Sequence, residues 1–380
     1  MRRVALITEI ISPYRIPLFN ALARSGVDLH VIFLSETDPS LRQWRVYKEE
    51  IRFSYEVLPA WRKRIGRYNS LLNRGLARAL KRRDAEAIIC GGYNYLASWQ
   101  ALAWSRLHGI PFLLWSESNL ADMRSGKRMV EFLKSFFLRQ CGGYVVAGQS
   151  SRDYLKSHGL REEKIFTAPD AVDNELFASV AKCARSKAEQ NRRELGLPAR
   201  FFLFSGRLVR EKGVFDLLGA YGRLKNPLRE QVGLVYVGEG AAREELEQQA
   251  AAISPGSIRF AGFVQRDELA RYYALADMLI LPTYSDPWGL VVNEAMACGL
   301  PIIVSRVAGC AADLVKNGGN GFLISAGDVS SLATCMEKLA CDSEMRMEMG
   351  RNSQTHILLS SPEAWASGVR GAIEATARQL

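Results

Sequence analysis

Asp286 and Glu294 stand with seven residues between them, and Gly289, Leu290 and Val291 lie inside that interval. A continuous apolar run at 278–281 precedes them and reads as a buried parallel strand. After Gly289 the period changes. Leu290, Val291, Glu294, Ala295 and Cys298 recur at helical spacing, and Gly299 followed by Pro301 closes the segment. A strand, a tight loop and a helix start present free backbone N–H groups, which attract an anion and most often a phosphate. Two carboxylates beside such a cradle suit a ligand carrying both phosphates and hydroxyls, as a sugar nucleotide does. The same residues also fit a purely structural role. Asp286 before Pro287 matches an N-cap with proline in the first turn, and Glu294 matches a solvated helix position.

Other residues extend the chemistry. Arg207 and Lys212 leave one loop after the strand at 202–205, and two fixed cations suit a diphosphate, although surface placement is the default for either alone. Gly238 and Gly240 supply two thirds of a dinucleotide-binding fingerprint, but Arg243 occupies the place of its third glycine. Near the start, Tyr14 and Arg15 sit in a loop at 11–17 that has no glycine to let backbone approach a phosphate, so Arg15 reads either as a ligand for phosphate or acceptor or as a surface residue in a turn. Glu117 follows the strand at 112–115 and is a candidate general base or a partner for a reacting hydroxyl. Tyr93, after Gly91 and Gly92, reads equally as a stacking platform and as packing.

The run from Gly289 to Pro301, with the acid-x7-acid spacing, resembles the signature of retaining glycosyltransferases of family 4. The loop from Gly206 to Gly213 resembles that family's Arg- and Lys-bearing element, and the Pro13, Tyr14, Arg15 sequence resembles a subset of the family. The resemblance implies that Glu294 binds the nucleotide ribose, that Asp286 contacts the donor sugar, and that Arg207 and Lys212 hold the pyrophosphate. It also implies that the loop of Gly238 and Gly240 lies under the donor and that the segment ending at Val264 reads the base by its backbone. Three departures are visible. The family more often has Glu at position 286, a Gly-Gly pair near Gly309, and in many members a histidine in the loop where this chain has Glu117.

Elements that could position these groups alternate along the chain. In the first half, strands are expected at 4–10, 28–35, 55–58, 87–90, 112–115, 144–147 and 165–168, with helices at 17–25, 71–82, 96–108 and 127–140. In the second, strands fall at 202–205, 233–237, 258–261, 278–281, 302–305 and 322–324. This alternation predicts doubly wound α/β sheets, whose ligands bind beyond the carboxyl ends of the strands. A chain of 380 residues exceeds one ordinary core. The resemblance implies the GT-B fold, two Rossmann-like domains facing a cleft. The expected division is 1–172 with a returning helix at 362–380 as the acceptor-binding domain, 198–361 as the nucleotide-sugar domain, and the polar stretch 173–197 as the crossing between them.

Composition narrows the class. No run of eighteen apolar residues exists, the start at 4–9 reads as a first strand rather than a signal peptide, and seven cysteines without a C-x-x-C pair read as reduced thiols. A cytoplasmic protein is therefore expected. Neither the cysteine and histidine spacing nor the resemblance calls for a metal or other cofactor. The net charge of +10 is uneven: residues 1–172 carry 27 Lys and Arg against 16 Asp and Glu, a net +11, and the remainder nets −1. Basic clusters at 62–67 and 78–83, and a mixed basic and apolar stretch at 124–139, fit an anionic membrane surface or an acidic acceptor, and equally a core helix with a solvated basic face. The expected partners are a UDP- or GDP-sugar donor, a glycan or lipid-linked acceptor and the inner face of the membrane, with no nucleic acid. The expected reaction is hexose transfer to a hydroxyl with retention, in cell-surface polysaccharide or lipopolysaccharide synthesis. An epimerase of the same fold, acting on nucleotide sugars without an acceptor, is the alternative. A nicotinamide oxidoreductase is disfavoured because the first strand ends without glycine, and an exported sugar-binding protein because no signal precedes it.

Overall fold

The computed structural model describes residues 2–38, 44–65, 68–122 and 128–378. The chain divides into two compact units, Met1–Val172 with Ser361–Leu380, and Asp173–Ser360.

The first unit is built on β1 (Arg2–Thr8), β2 (Val27–Phe33), β3 (Ser54–Val57), the hairpin β4 (Ala60–Ile65) and β5 (Tyr68–Asn73), then β6 (Ala87–Gly91), β7 (Phe112–Ser116), β8 (Gly143–Val146) and β9 (Ile165–Thr167). Seven of these form one parallel sheet in the order β3-β2-β1-β6-β7-β8-β9. The strand order reverses between β1 and β6, where loops diverge and leave a crevice at the carboxyl edge. The continuous apolar runs are explained by burial on both faces: Val4, Leu6 and Ile89 face one core, Ala5, Ile7 and Ile88 the other. The helix Pro362–Ala377 returns to this unit, and its Trp365 packs against Phe19 and Trp115 with ring centroids 5.9 and 5.1 Å apart.

The second unit carries β10 (Phe201–Ser205), β11 (Gly233–Val237), β12 (Ile258–Gly262), β13 (Met278–Leu281), β14 (Ile302–Ser305) and β15 (Gly321–Ile324). They form a six-stranded parallel sheet, β12-β11-β10-β13-β14-β15, with its order reversing between β10 and β13.

Two segments differ from expectation. The helix expected from residue 71 begins at Leu76, and β5 takes the residues before it. Leu71 is buried while Leu72 is exposed, the period of a strand, and Gly75 at φ +92° turns the chain into the helix. The polar stretch 173–197 is not an open crossing. It forms the helices Asn174–Ser186 and Ala188–Leu195 within the second unit. Phe177, Ala181 and Ala184 recur on one buried face, Asp173 caps the first helix by accepting from Leu176 N at 2.9 Å, and Arg185 donates to Ala274 O at 3.0 Å. Its charged residues are the outer face of docked helices. Among the described residues no helix is long and apolar enough to cross a membrane.

Candidate active site

In the second unit the chain leaves β10 and β13 into two neighbouring loops, one carrying Arg207 and Lys212, the other Asp286. Tyr284 N donates to Glu211 O at 2.8 Å and the Thr283 hydroxyl to the same oxygen at 3.0 Å, which ties the loops together. Gly213 makes the approach possible: at φ +67°, its added Cβ would stand 2.0 Å from Pro282 O. Lys212 Nζ lies 2.6 Å from Asp286 Oδ2 and 3.1 Å from Ser285 O. The Arg207 side chain is exposed and makes no hydrogen bond or ion pair within the described residues. One cation is thus held in place and the other is free to meet a ligand.

The helix Leu290–Ala297 starts from Gly289, whose φ of +103° favours glycine, and no side chain caps it. Asp286 is therefore not its N-cap. Its backbone instead bridges to Ala308, with Gly309 N donating to Asp286 O at 3.0 Å. A Cβ on Gly309 would meet Pro287 O at 1.8 Å, so this close approach requires glycine at that position. Leu290 and Val291 are half-buried in the first turn. Glu294 is half-buried rather than fully solvated, and it accepts from the Tyr273 hydroxyl at 2.7 Å. Burial pushes its carboxyl up to about 7, opposed by the Tyr273 hydroxyl and by Arg266. Tyr273 itself is completely buried, so it fixes where the Glu294 oxygens point.

Gly238 and Gly240 are explained by packing of backbone on backbone. A Cβ at Gly238 would lie 1.9 Å from Gly206 O, and one at Gly240 would lie 2.3 Å from Leu208 O. Leu208 N donates to Glu239 O at 2.9 Å and Ala242 N to Leu208 O at 2.9 Å, so this loop braces the one that carries Arg207. Arg243, in the place of the missing third glycine, pairs with Glu239 and lies 2.8 Å from Glu247. Val264 is half-buried just beyond β12, beside the exposed Phe263.

In the first unit Arg15 and Glu117 meet, from the turn Pro13–Arg15 and the end of β7, at 2.5 Å. The Arg15 guanidinium lies 4.0 Å from the Trp115 ring centroid and 5.5 Å from that of Tyr14. Burial works against its charge, but Glu117, Tyr14 and Asp170 outweigh this and hold its pKa above the usual value. Asp170, four per cent exposed beyond β9, is the member the sequence reading missed. Burial first, and then Glu117, push its carboxyl up to about 7 against the pull of Arg15. The only signal available was its place after a strand, in a Pro-Asp pair that reads as an ordinary turn. Among the described residues, Arg15 Nη1 and Ser116 Oγ are buried without a hydrogen-bond partner. Each such group costs about 1–3 kcal/mol, which a ligand oxygen would recover. Tyr93 packs against Phe137 and its hydroxyl lies 3.2 Å from that of Tyr154, a packing role.

The basic clusters are partly neutralised. Arg62 pairs with Asp38, Arg83 with Asp28, and Arg82 with Glu56 at 2.6 Å, whereas Arg78 and Lys81 are exposed and unpaired among the described residues. Arg67, Arg124 and Lys127 lie outside the described residues. The helix Arg128–Gln140 buries Phe137 and Leu138 but exposes Met129, Val130, Phe132, Leu133 and Phe136, with Phe132 at 66%.

Comparison with known proteins gives two matching family profiles: "Glycosyltransferase Family 4" over residues 17–176 and "Glycosyl transferases group 1" over residues 187–356. A D-inositol 3-phosphate glycosyltransferase of Corynebacterium jeikeium is 32% identical over 235 residues, 59% of this chain and 55% of that protein. The chain spans about half the length of that protein and of two other D-inositol 3-phosphate glycosyltransferases it matches (42–55%). Among solved structures, sucrose-phosphate synthase of Thermosynechococcus elongatus superposes with a TM-score of 0.74 at 21% identity, covering 98% of both chains. The Anabaena HepE protein, in complex with UDP and glucose, gives 0.75 at 18% identity, covering 98% of this chain and 100% of that one. At such identities the likeness is one of fold, the GT-B architecture of two Rossmann-like domains.

Proposed function

Since this chain belongs to glycosyltransferase family 4, we propose that it transfers a hexose from a nucleoside-diphosphate sugar to a hydroxyl of a glycan or lipid-linked acceptor, with retention and without a metal. The observation that carries this reading is the pair of laced loops at the carboxyl ends of β10 and β13. They set a fixed ammonium, a free guanidinium and an uncapped helix start on one sheet edge. Arg207, Lys212 and the N–H groups at Gly289 and Leu290 would stabilise the charge that develops on the departing diphosphate, work that a metal ion does in other enzymes. Glu294, oriented by Tyr273, would accept from the ribose hydroxyls. Such a hydrogen bond favours the ionised carboxylate that burial opposes. The donor class is a UDP-sugar, in keeping with the UDP and glucose bound by HepE, with a GDP-sugar as the other candidate. Val264 and the loop of Gly238 and Gly240 belong to the same pocket in this reading.

Arg15, Tyr14 and Glu117 of the first unit are assigned to the acceptor, with the orphaned Arg15 Nη1 and Ser116 Oγ awaiting oxygen atoms and Glu117 as the base. The net charge of +11 over residues 1–172 and the exposed apolar face of the helix Arg128–Gln140 support peripheral attachment to an anionic membrane, the setting of polysaccharide or lipopolysaccharide synthesis.

The test incubates the protein with UDP- and GDP-sugars, with and without a glycolipid and glycan extract. Release of the nucleoside diphosphate only when acceptor is present is the expected result. Interconversion of the sugar without acceptor would establish the epimerase alternative instead.

A further inference from the structure

We infer that Asp286 acts on the donor's diphosphate through Lys212, as a positioning residue. This rests on the glycosyltransferase reading and assigns one carboxylate within it. Three features carry the inference. First, Asp286 Oδ2 is engaged by the Lys212 ammonium at 2.6 Å, and both side chains are largely covered, at 16% and 12% exposure. A carboxylate so placed has its charge answered by the protein before any ligand arrives. Second, the ammonium has three N–H donors, of which Asp286 and Ser285 O take two, leaving one with a fixed direction for a phosphate oxygen. Third, the carboxylate is held at the helix start, its Cγ 3.8 Å from where a Cβ on Gly289 would be. Lys212 is thereby tethered beside the N–H groups that would share the same phosphate.

The loops that bear the pair are laced independently of it, through Tyr284 N to Glu211 O, Thr283 to Glu211 O, and Gly309 N to Asp286 O. The isosteric change Asp286→Asn therefore leaves the fold in place while weakening the hold on Lys212, whose four-carbon stem regains rotamer freedom.

The experiment is calorimetric titration of the full chain with UDP, UDP-glucose, GDP and GDP-mannose, using wild type, Asp286→Asn, Lys212→Met and the double variant. The expected result is that Asp286→Asn weakens the preferred nucleoside diphosphate and its sugar conjugate by the same factor, about tenfold, the order of the side-chain entropy released. Adding Asp286→Asn to Lys212→Met should cost nothing further. Three results would overturn the inference: loss confined to the sugar conjugate, tighter binding in the variant, or an undiminished loss in the Lys212→Met background. If Asp286→Asn fails to fold, Asp286→Glu replaces it, with the same equal change in both ligands expected and an effect on the sugar conjugate alone overturning it. Wild type that binds none of the four ligands would instead remove the glycosyltransferase reading, and this inference with it.

Discussion

Replacing Glu294 by Gln should remove a stability penalty at alkaline pH while destroying nucleotide binding. The carboxyl titrates near 7 in the folded chain because burial opposes its charge, against an ordinary value of 4.5. A group raised in this way contributes stability that is fully present below about 4.5 and lost as pH rises through about 7. The difference between those values corresponds to about 3 kcal/mol. The variant never ionises at this position. Its amide can still accept from the Tyr273 hydroxyl, and any cost of an unpaired Nε2 is the same at every pH. Asp170 titrates over the same range but is present in both proteins, so it cancels in the comparison. Urea unfolding of wild type and Glu294→Gln at pH 4.5 and 8 measures the effect. The stability difference should move by about 3 kcal/mol in favour of the variant toward pH 8. Curves that stay parallel across that range would refute the claim that burial raises the Glu294 pKa.

Other consequences are equally direct. Gly240→Ala should destabilise the second unit by more than about 2 kcal/mol in denaturant melts, because its Cβ would meet Leu208 O at 2.3 Å. Arg15→Met leaves Glu117 and Asp170 without their cation. It should abolish turnover and cost about 3–5 kcal/mol at pH 8, with a smaller loss at pH 5 where Asp170 is protonated. Phe132→Ser with Phe136→Ser should reduce sedimentation with phosphatidylglycerol vesicles severalfold while leaving UDP affinity unchanged, since both rings are exposed in the first unit.

Much of this was legible in the sequence, for identifiable reasons. Strands such as Met278–Leu281 and Phe201–Ser205 are buried on both faces, so they appear as unbroken apolar runs that no other element explains. The glycines at 213, 238, 240 and 309 mark loops where a Cβ would collide with a carbonyl, which is why the loop motifs stand out. What stayed hidden depended on partners distant in sequence. Arg15 and Glu117 are 102 residues apart, and although each is a candidate alone, nothing in the sequence pairs them until β1 and β7 share a sheet. Asp170 carried only the signal of an ordinary turn after a strand. The stretch 173–197 misled because polarity on one helix face dominates composition, while the buried face rests on only Phe177, Ala181 and Ala184. Arg62 likewise reads as part of a basic patch, yet it is paired with Asp38, 24 residues away.

The central claim is tested most directly by a crystal structure with the bound nucleoside diphosphate. The account predicts phosphate oxygens within hydrogen-bond reach of Arg207 and Lys212 Nζ, and ribose hydroxyls on Glu294. A nucleotide that touched none of these three side chains would contradict it.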